Sequence, residues 1–576
     1  MVVGEKLQLN IEATTGTGDG IAHADGVVVF VRGAVRGDLC LAEVDRLTRR
    51  AVFCHICELI TPSPARIEPD CSIADRCGGC PARHMTYEEE LSSKAQHVKN
   101  CLRRIGSWNA EPDRIISAPC RDGYRNKALL RYDPASFSFG FCEAGSHSPV
   151  PGCCRALLSC EDTDRAVNLI AAHCRQTGFT PYGLLIRRSL RHGDLLLAIL
   201  SDDPVPEKDT LVATLTESVP ELTGIVRCPA PKKGGVGIGR DPELLFGTQY
   251  IRETLMGIDF SVAPAAFFQV NTLMAEKLYE TAAEYIRDAA PASVLDLYCG
   301  IGSIGLCTTS PETRLIGVEI VPAAVECAKE NAAACGRCAE FIAADAFAAA
   351  AELSRRGESP ELVILDPPRK GLSEELCGLL CEMKAPHLVY ISCDPATLAR
   401  DIARLQDTYT PQKYSVCDLF PGTDHIETVA LLSRQIDVHK MKLNSAPFEM
   451  IKSGEKTIEL RLFDEKRQKT KVGDKIVFTD NTTGETLNTT VVKLHRYNTF
   501  NELYKSLPLL KCGYTTENVD KATPSDMEQY YSVEEQRKYG VVGIELCRHK
   551  EITDETSTFK AKPFSSDTSR IEVNKP

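Results

Sequence analysis

Tyr390-Ile391-Ser392-Cys393-Asp394-Pro395 puts a cysteine where an apolar run, Leu388-Val389-Tyr390-Ile391, breaks at a proline. A thiol at such a strand end is a candidate nucleophile, and Glu427, in His425-Ile426-Glu427-Thr428-Val429 ahead of a second apolar run, is a candidate base. Upstream lie a glycine-rich turn, Asp296-Leu297-Tyr298-Cys299-Gly300-Ile301-Gly302, and an acidic-proline turn, Asp366-Pro367-Pro368-Arg369. Glu319 ends a further apolar stretch. Glycines let the backbone approach a ligand closely, and a carboxylate at a strand end can accept both ribose hydroxyls of an adenosine-type cofactor. A thiol, a base and such a cofactor suit carbon methylation of a pyrimidine. Carbon 5 of uracil attacks a sulfonium methyl only after a thiolate has added to carbon 6. A base must then remove the carbon 5 proton so that the thiol can leave.

These groups need a scaffold that delivers strand ends to one edge. From about 263 to 436, strands (Val294 to Asp296, Leu315 to Glu319, Leu362 to Asp366, Leu388 to Ile391) alternate with helical stretches such as Pro322 to Cys335. That alternation predicts a doubly wound parallel α/β sheet. The glycine turn lacks a full G-x-G-x-x-G and follows an acidic strand end. It therefore resembles the class I (Rossmann-like) S-adenosylmethionine methyltransferases more than the NAD enzymes. Asp-Pro-Pro-Arg in place of Asn-Pro-Pro-Tyr argues against methylation of an amino group.

At 576 residues the chain is too long for one core. Its net charge of -12 argues against non-specific coating of nucleic acid, although a local basic groove is compatible with it. There is no basic-then-apolar leader at Met1 and no apolar stretch long enough for a bilayer, which predicts a cytoplasmic, reducing setting for the 25 cysteines as thiols, ligands or nucleophiles. Of these cysteines, 23 lie at or before Cys417. Basic residues change from 12 Lys and 32 Arg up to residue 437 to 17 Lys and 6 Arg beyond it, so a separate module is expected to begin between Gln435 and His439.

Residues 1–62 alternate apolar and polar positions around glycine turns, as in Leu7-Gln8-Leu9-Asn10-Ile11-Glu12 and Gly26-Val27-Val28-Val29-Phe30-Val31. This predicts a small OB-like β-barrel, with a β-sandwich as the alternative. Gly16-Thr17-Gly18-Asp19-Gly20-Ile21-Ala22 and Val31-Arg32-Gly33-Ala34-Val35-Arg36-Gly37-Asp38 resemble a TRAM domain, an RNA-binding barrel. Residues 63–262 read as a central α+β domain. There Cys71, Cys77 and Cys80 stand at C-x5-C-x2-C spacing with Gly78 and Gly79 between the last two. By spacing alone, a four-thiolate iron–sulfur cluster and a zinc site are both open. Arg125, Lys127 and Arg131 are spaced to meet phosphate or to form a solvated strand face.

Phe268-Gln269-Val270-Asn271, Asp296 to Gly302, Asp366 to Arg369, Ser392 to Pro395 and His425 to Val429 occur in the order of the RNA uracil-5 methyltransferases. Over about residues 1–435 the chain resembles the type that acts on 23S ribosomal RNA. The resemblance implies Gln269, Tyr298, Glu319 and Asp366 at S-adenosylmethionine, Cys393 as nucleophile and Glu427 as base, in a catalytic domain spanning 263–436. It also implies a [4Fe–4S] cluster on Cys71, Cys77, Cys80 and Cys154, with Cys153 as the alternative fourth ligand. Cys299 and Cys307 are left as structural. The expected partner is an RNA, with no membrane and a monomeric chain. Transfer RNA T-loop methylation by the same chemistry and an inactive RNA-binding assembly factor are the alternatives.

Residues 438–550 carry Gly454-Glu455-Lys456-Thr457-Ile458-Glu459-Leu460-Arg461 followed by Val472-Gly473-Asp474, which resembles the ASCH domain, a small β-barrel. Lys456 and Arg461 are candidates for phosphate contact or for a strand-edge salt bridge with Glu459. Residues 551–576, rich in Thr, Ser, Lys and Glu, are expected to be a disordered tail.

Overall fold

The computed structural model describes residues 1–548, apart from 75, 144–145, 147, 152–156, 159 and 231–241. Cys153, Cys154 and the tail from 551 therefore lie outside the described residues. The chain divides into two compact units, Met1–Arg434 and Gln435–Pro576. Among the described residues no helix is long and apolar enough to cross a membrane.

The first unit opens with a six-stranded sheet. Its order is Lys6–Asn10, Leu39–Leu47, Ala51–Thr61, Val27–Arg32, Gly20–Ala24, Ala13–Thr14. All neighbours are antiparallel except Val27–Arg32 against Ala51–Thr61. Leu9, Val29, Val31, Cys40, Val44 and Cys54 fill one face, as the period-2 alternation of the sequence requires.

A second, seven-stranded sheet runs Pro149–Pro151, Ser138–Cys142, Lys127–Asp133, Gly183–Arg188, Leu195–Leu200, Leu222–Cys228, Glu243–Gly247. Gly183–Arg188 and Leu195–Leu200 are buried along their whole length, which explains the unbroken apolar run of the second. Leu184, Ile186, Leu197 and Ile199 pack with the helices Cys160–Thr177 and Lys208–Ser218. Leu185, Leu196, Ala198 and Leu200 face the other way, into one core with Leu278, Tyr279 and Tyr285 of the helix Thr272–Ala289.

That helix lies on the third sheet, which carries the candidate site. Its order is Ala339–Ala343, Arg314–Glu319, Ser293–Leu297, Leu362–Leu365, His387–Ser392, Glu427–Arg434, Tyr409–Cys417, Arg114–Ile116. The first five strands are parallel, as the strand–helix alternation predicts. The sheet is not parallel throughout: Glu427–Arg434 runs antiparallel to both its neighbours. Tyr409–Cys417 and Glu427–Arg434 are joined by a loop without a crossover helix, and a direct return of that kind can only make an antiparallel pair. The strand Arg114–Ile116 and the helix Tyr87–Arg104, from early in the chain, also join this layer. Val98, Cys101 and Leu102 of the helix pack with Leu398, Ala399 and Ile402.

The second unit is a five-stranded sheet in the order Val438–Leu443, Lys475–Asp480, Thr486–Tyr497, Val541–Arg548, Ile458–Leu462. Phe448, Ile476, Phe478 and Ile544 form its main core. Glu459 pairs with Lys456 at 2.8 Å and with Arg461 at 2.8 Å, the salt-bridged arrangement. Both cations are mostly buried, which leaves little of either charge for a phosphate.

Candidate active site

Ser293–Leu297 pairs on one side with Arg314–Glu319 and on the other with Leu362–Leu365. The chain leaves this strand toward one edge of the sheet and returns to build the other, so a crevice opens at the carboxyl ends. The turn that enters it is tightly wound: Tyr298 has φ 67°, Gly300 56° and Gly302 81°. A side chain at Gly302 would also stand 3.1 Å from the Phe341 ring. Glycine there is a steric requirement, whereas Tyr298 holds a left-handed conformation that most residues avoid.

Three carboxylates stand at or next to the carboxyl ends of these strands. Asp296 is buried; its Oδ2 accepts from Gly305 N at 3.0 Å and its Oδ1 has no partner. Burial pushes this carboxyl up to about 8. Glu319 accepts from Gly300 N (3.2 Å) and Val321 N (2.9 Å), so the turn itself orients its carboxylate. Burial pushes Asp366 up to about 7.

Cys393 follows the strand His387–Ser392. Asp394 caps the next helix, Pro395–Leu405, accepting from Ala396 N (3.0 Å) and Thr397 N (2.8 Å), with Pro395 at its first position. The cap forces the chain to turn at once, leaving Cys393 on the cavity wall. Thr397 Oγ1 donates to Arg369 O at 3.2 Å and ties the acidic-proline turn to the same helix. Glu427 begins the neighbouring strand, where Ser392 is opposite Thr428. Burial, then Glu427 and Asp366, push the Cys393 thiol up to about 12, against the opposing pull of Arg369. Burial and Asp366 likewise hold the Glu427 carboxyl well above its usual range, again opposed by Arg369.

Arg369 Nη2 lies 2.8 Å from His425 Nε2. A guanidinium only donates, so Nε2 accepts and the imidazole proton sits on Nδ1, 3.2 Å from Asp424 Oδ1. Burial keeps His425 below its usual range, and Arg369 adds to the effect.

A cavity of about 850 Å³ has Gln269, Tyr298, Glu319, Asp366, Cys393 and Glu427 in its wall. A second, of about 560 Å³, runs between the N-terminal sheet and the helix Tyr87–Arg104, past Thr15, Phe30, His97 and Arg104. Arg369, Cys393 and His425 line both. The thiol thus stands where two chambers meet. In the sequence His425 opens a motif without an assigned role, and nothing marks the His97–Arg104 wall. His425 had a signal in its position two residues before Glu427. The wall had none, since it depends on a helix from 300 residues earlier in the chain.

The family described as tRNA (Uracil-5-)-methyltransferase matches residues 235–435, and the ASCH domain matches 441–548. An uncharacterized RNA methyltransferase of Clostridium tetani is 31% identical over 442 residues, 73% of this chain and 95% of the relative. Another, from Halalkalibacterium halodurans, is 32% identical over 444 residues, 74% and 96% of the two chains. The chain belongs to the RNA uracil-5 methyltransferase family. A solved structure, Pyrococcus abyssi tRNA (uracil-54, C5)-methyltransferase in complex with S-adenosyl-L-homocysteine, shares this fold with a TM-score of 0.60 and 24% identity. The match covers 74% of this chain and 99% of that one.

In this methyltransferase the loop carrying His425 is anchored by buried charge. Lys94 donates to Glu90 (2.7 Å), Asp418 (2.9 Å) and Phe420 O (3.1 Å), while Gly422 N donates to Glu90 at 2.6 Å. All three charged side chains are at most 2% exposed. Removing Lys94 leaves Asp418 with the Tyr87 hydroxyl and Glu90 with Arg121, so the buried Asp418 charge loses its ion-pair partner. Lys94→Ala is therefore expected to cost about 3–5 kcal/mol in chemical denaturation and to speed hydrogen exchange of residues 418–425.

A third cavity, of about 740 Å³, is lined by Cys77, Cys80 and Cys142 with Arg32, Arg83 and Arg131. Cys142 joins the predicted cysteines because Cys77 bridges Glu143 and Gly78 N donates to Cys142 O at 3.1 Å. Burial pushes the Cys77 thiol up, opposed by the Gly79 N–H and reinforced by Cys80, Cys71 and Cys142. Arg125 lines the 850 Å³ cavity, while the Arg131 guanidinium sits 4.0 Å over the Tyr182 ring. Burial, with Arg187 beside it, pushes Lys127 down to about 7, so it is only partly charged at neutral pH and a weak phosphate contact. Cys299 is buried, and burial pushes Cys307 up to about 12, as expected of inert thiols.

Proposed function

We propose that the chain methylates carbon 5 of a uridine in 23S ribosomal RNA, with S-adenosylmethionine as donor, through a covalent adduct between Cys393 and carbon 6. One observation carries this reading: the Cys393 thiol and the Glu427 carboxyl, on adjacent strand ends, share one cavity with Gln269, Tyr298, Glu319 and Asp366. The cavity's volume is within the range of cofactor sites. Asp366 in the cavity wall and the oriented Glu319 carboxylate suit a ligand with a positive centre and ribose hydroxyls. Gln269, Tyr298, Glu319 and Asp366 would hold the cofactor, which supplies an electrophilic methyl group.

The chain's own residues do the rest. Cys393 loses its proton to solvent and its sulfur bonds to carbon 6 of uracil, sending the ring electrons toward O4. After carbon 5 is methylated, Glu427 in its carboxylate form takes the carbon 5 proton. The electrons then re-form the 5,6 double bond and expel the thiolate. Both groups must therefore ionise against burial, and Arg369 favours the ionised form of each.

The titration of Asp366 gives a test of cofactor placement. A cation bound near a carboxyl titrating at about 7 binds its ionised form better. Affinity for S-adenosylmethionine is expected to rise up to about tenfold per pH unit as pH approaches 7 from below, then level off. The neutral thioether S-adenosylhomocysteine should show a flatter profile by calorimetry. Equal slopes would remove Asp366 from the sulfonium's surroundings.

Cys71, Cys77 and Cys80, with Cys154 outside the described residues, would hold a [4Fe–4S] cluster in the RNA-binding part of the chain. The cavity at Cys77 and Cys80 supports a bulky group there. Zinc is less favoured: tetrahedral Zn–S bonds of about 2.3 Å need sulfurs within about 4 Å, and these three sulfurs do not gather within 4.8 Å of one another.

A second reading, methylation of a transfer RNA T-loop, is favoured by the solved relative that acts on tRNA uracil-54, almost all of which aligns with this chain. Mapping 5-methyluridine in both RNAs, from cells with and without the protein, decides between them. Loss confined to 23S RNA is expected; loss confined to tRNA would replace the first reading with the second.

A further inference from the structure

The N-terminal sheet carries a second cluster of chemically able side chains, far in sequence from the thiol and in no way used by the methyl-transfer chemistry. Among the described residues, Glu43, His55 and Cys57 are the one set of His, Cys, Asp and Glu side chains whose ligand atoms all lie within 4.8 Å of one another. We propose that these three residues form a zinc site, with Asp45 holding the histidine from behind.

The backbone builds the cluster deliberately. Glu43 and His55 are directly paired across Leu39–Leu47 and Ala51–Thr61. On one side of this pair Ala42 meets Ile56 and Leu41 meets Glu58, so Cys57 is an extra residue in a bulge. On the other side Val44 meets Cys54 and Arg46 meets Phe53, so Asp45 is an extra residue in a second bulge. Bulges re-aim side chains that regular pairing would hold apart. Here two of them flank one pair and turn a thiol and a carboxylate toward it.

The distances suit one tetrahedral ion. Cys57 Sγ is 3.7 Å from Glu43 Oε2 and 3.9 Å from His55 Nε2. Bonds of about 2.3 Å to sulfur and 2.0–2.1 Å to nitrogen or oxygen at tetrahedral angles place such atoms about 3.5 Å apart. A few tenths of an ångström of side-chain adjustment closes the difference. His55 Nδ1 lies 2.8 Å from Asp45 Oδ1. A carboxylate only accepts, so the proton is on Nδ1 and the Nε2 lone pair faces Cys57 and Glu43. That carboxylate–histidine arrangement orients zinc-binding histidines and raises their basicity. Sulfur, imidazole and carboxylate together select zinc over magnesium or calcium. Three protein ligands leave the fourth position open to water, and the exposed Cys57 gives the ion a path from solvent.

The test uses the full-length protein, with zinc added and Cys57 alkylation by iodoacetamide followed by peptide mass spectrometry. One equivalent of zinc is expected to slow alkylation of Cys57 at least about tenfold. His55→Ala should abolish that protection, and Asp45→Asn should weaken the zinc affinity about 10–100-fold. Cobalt(II) supplies an independent readout: a thiolate-to-metal charge-transfer band lost in Cys57→Ser and kept in Cys77→Ser. These side chains stand at the surface, so circular dichroism of the variants should match the parent protein. Unchanged alkylation in zinc, or protection that survives His55→Ala, overturns the site.

Discussion

Cys393→Ala is expected to abolish methyl transfer, by on the order of 10⁴-fold or more in kcat, while leaving S-adenosylmethionine affinity within about threefold of the parent. The alanine removes the thiol proposed to add to carbon 6, and without that addition carbon 5 stays too weak a nucleophile. The Cys393 side chain stands at the junction of two chambers and contributes little to either core, so the fold should survive. RNA carrying 5-fluorouridine should form a covalent complex with the parent protein, because fluorine at carbon 5 cannot leave as a proton does. The complex should survive denaturing electrophoresis and be absent in the variant. Normal turnover by Cys393→Ala would end the mechanism. Activity of the parent should rise with pH through the neutral range, since burial holds the thiol at about 12 and thiolate is the reactive form.

Glu427→Gln is expected to give a different failure. The amide keeps the shape but takes no proton, so turnover should fall about 10²–10⁴-fold while the first half of the reaction persists. Covalent RNA–protein complex should therefore accumulate with ordinary uridine substrate, carrying a methyl group from labelled donor. A variant that turns over without accumulating complex would show that another base serves carbon 5. Burial of Glu427 and the neighbouring Asp366 push this carboxyl well above its usual range. Glutamine has nearly the same shape as the glutamate side chain, so binding of cofactor should be little changed. The two variants together distinguish adduct formation from adduct release, which neither does alone.

Much of this site was legible in the chain because strand ends announce themselves. An apolar run that stops at Glu319 or Cys393 marks where a strand leaves the core, and in an α/β sheet those ends share one edge. The parallel arrangement of the first five strands followed from the same alternation. The antiparallel end of the sheet was harder to read, since it depends on a short return between Tyr409–Cys417 and Glu427–Arg434. Lys127 and Lys456 show the limit for charged residues: spacing makes them candidates for phosphate, but burial beside Arg187 and pairing with Glu459 decide their charge and reach.

By itself, the sequence determined which chemical groups the protein possesses and which strand ends carry them. Side-chain type and local periodicity are properties of neighbouring residues, and they survive without a fold. Only the tertiary structure decided how those groups behave. Proton affinities at Asp366, Cys393 and Glu427 depend on burial and on charges brought from separate strands. The histidine tautomer at His425 depends on Arg369, 56 residues away in the chain. The meeting of Glu43, Asp45, His55 and Cys57 depends on two bulges in a strand pair. Each is a matter of distance in space, and sequence order does not encode that distance locally.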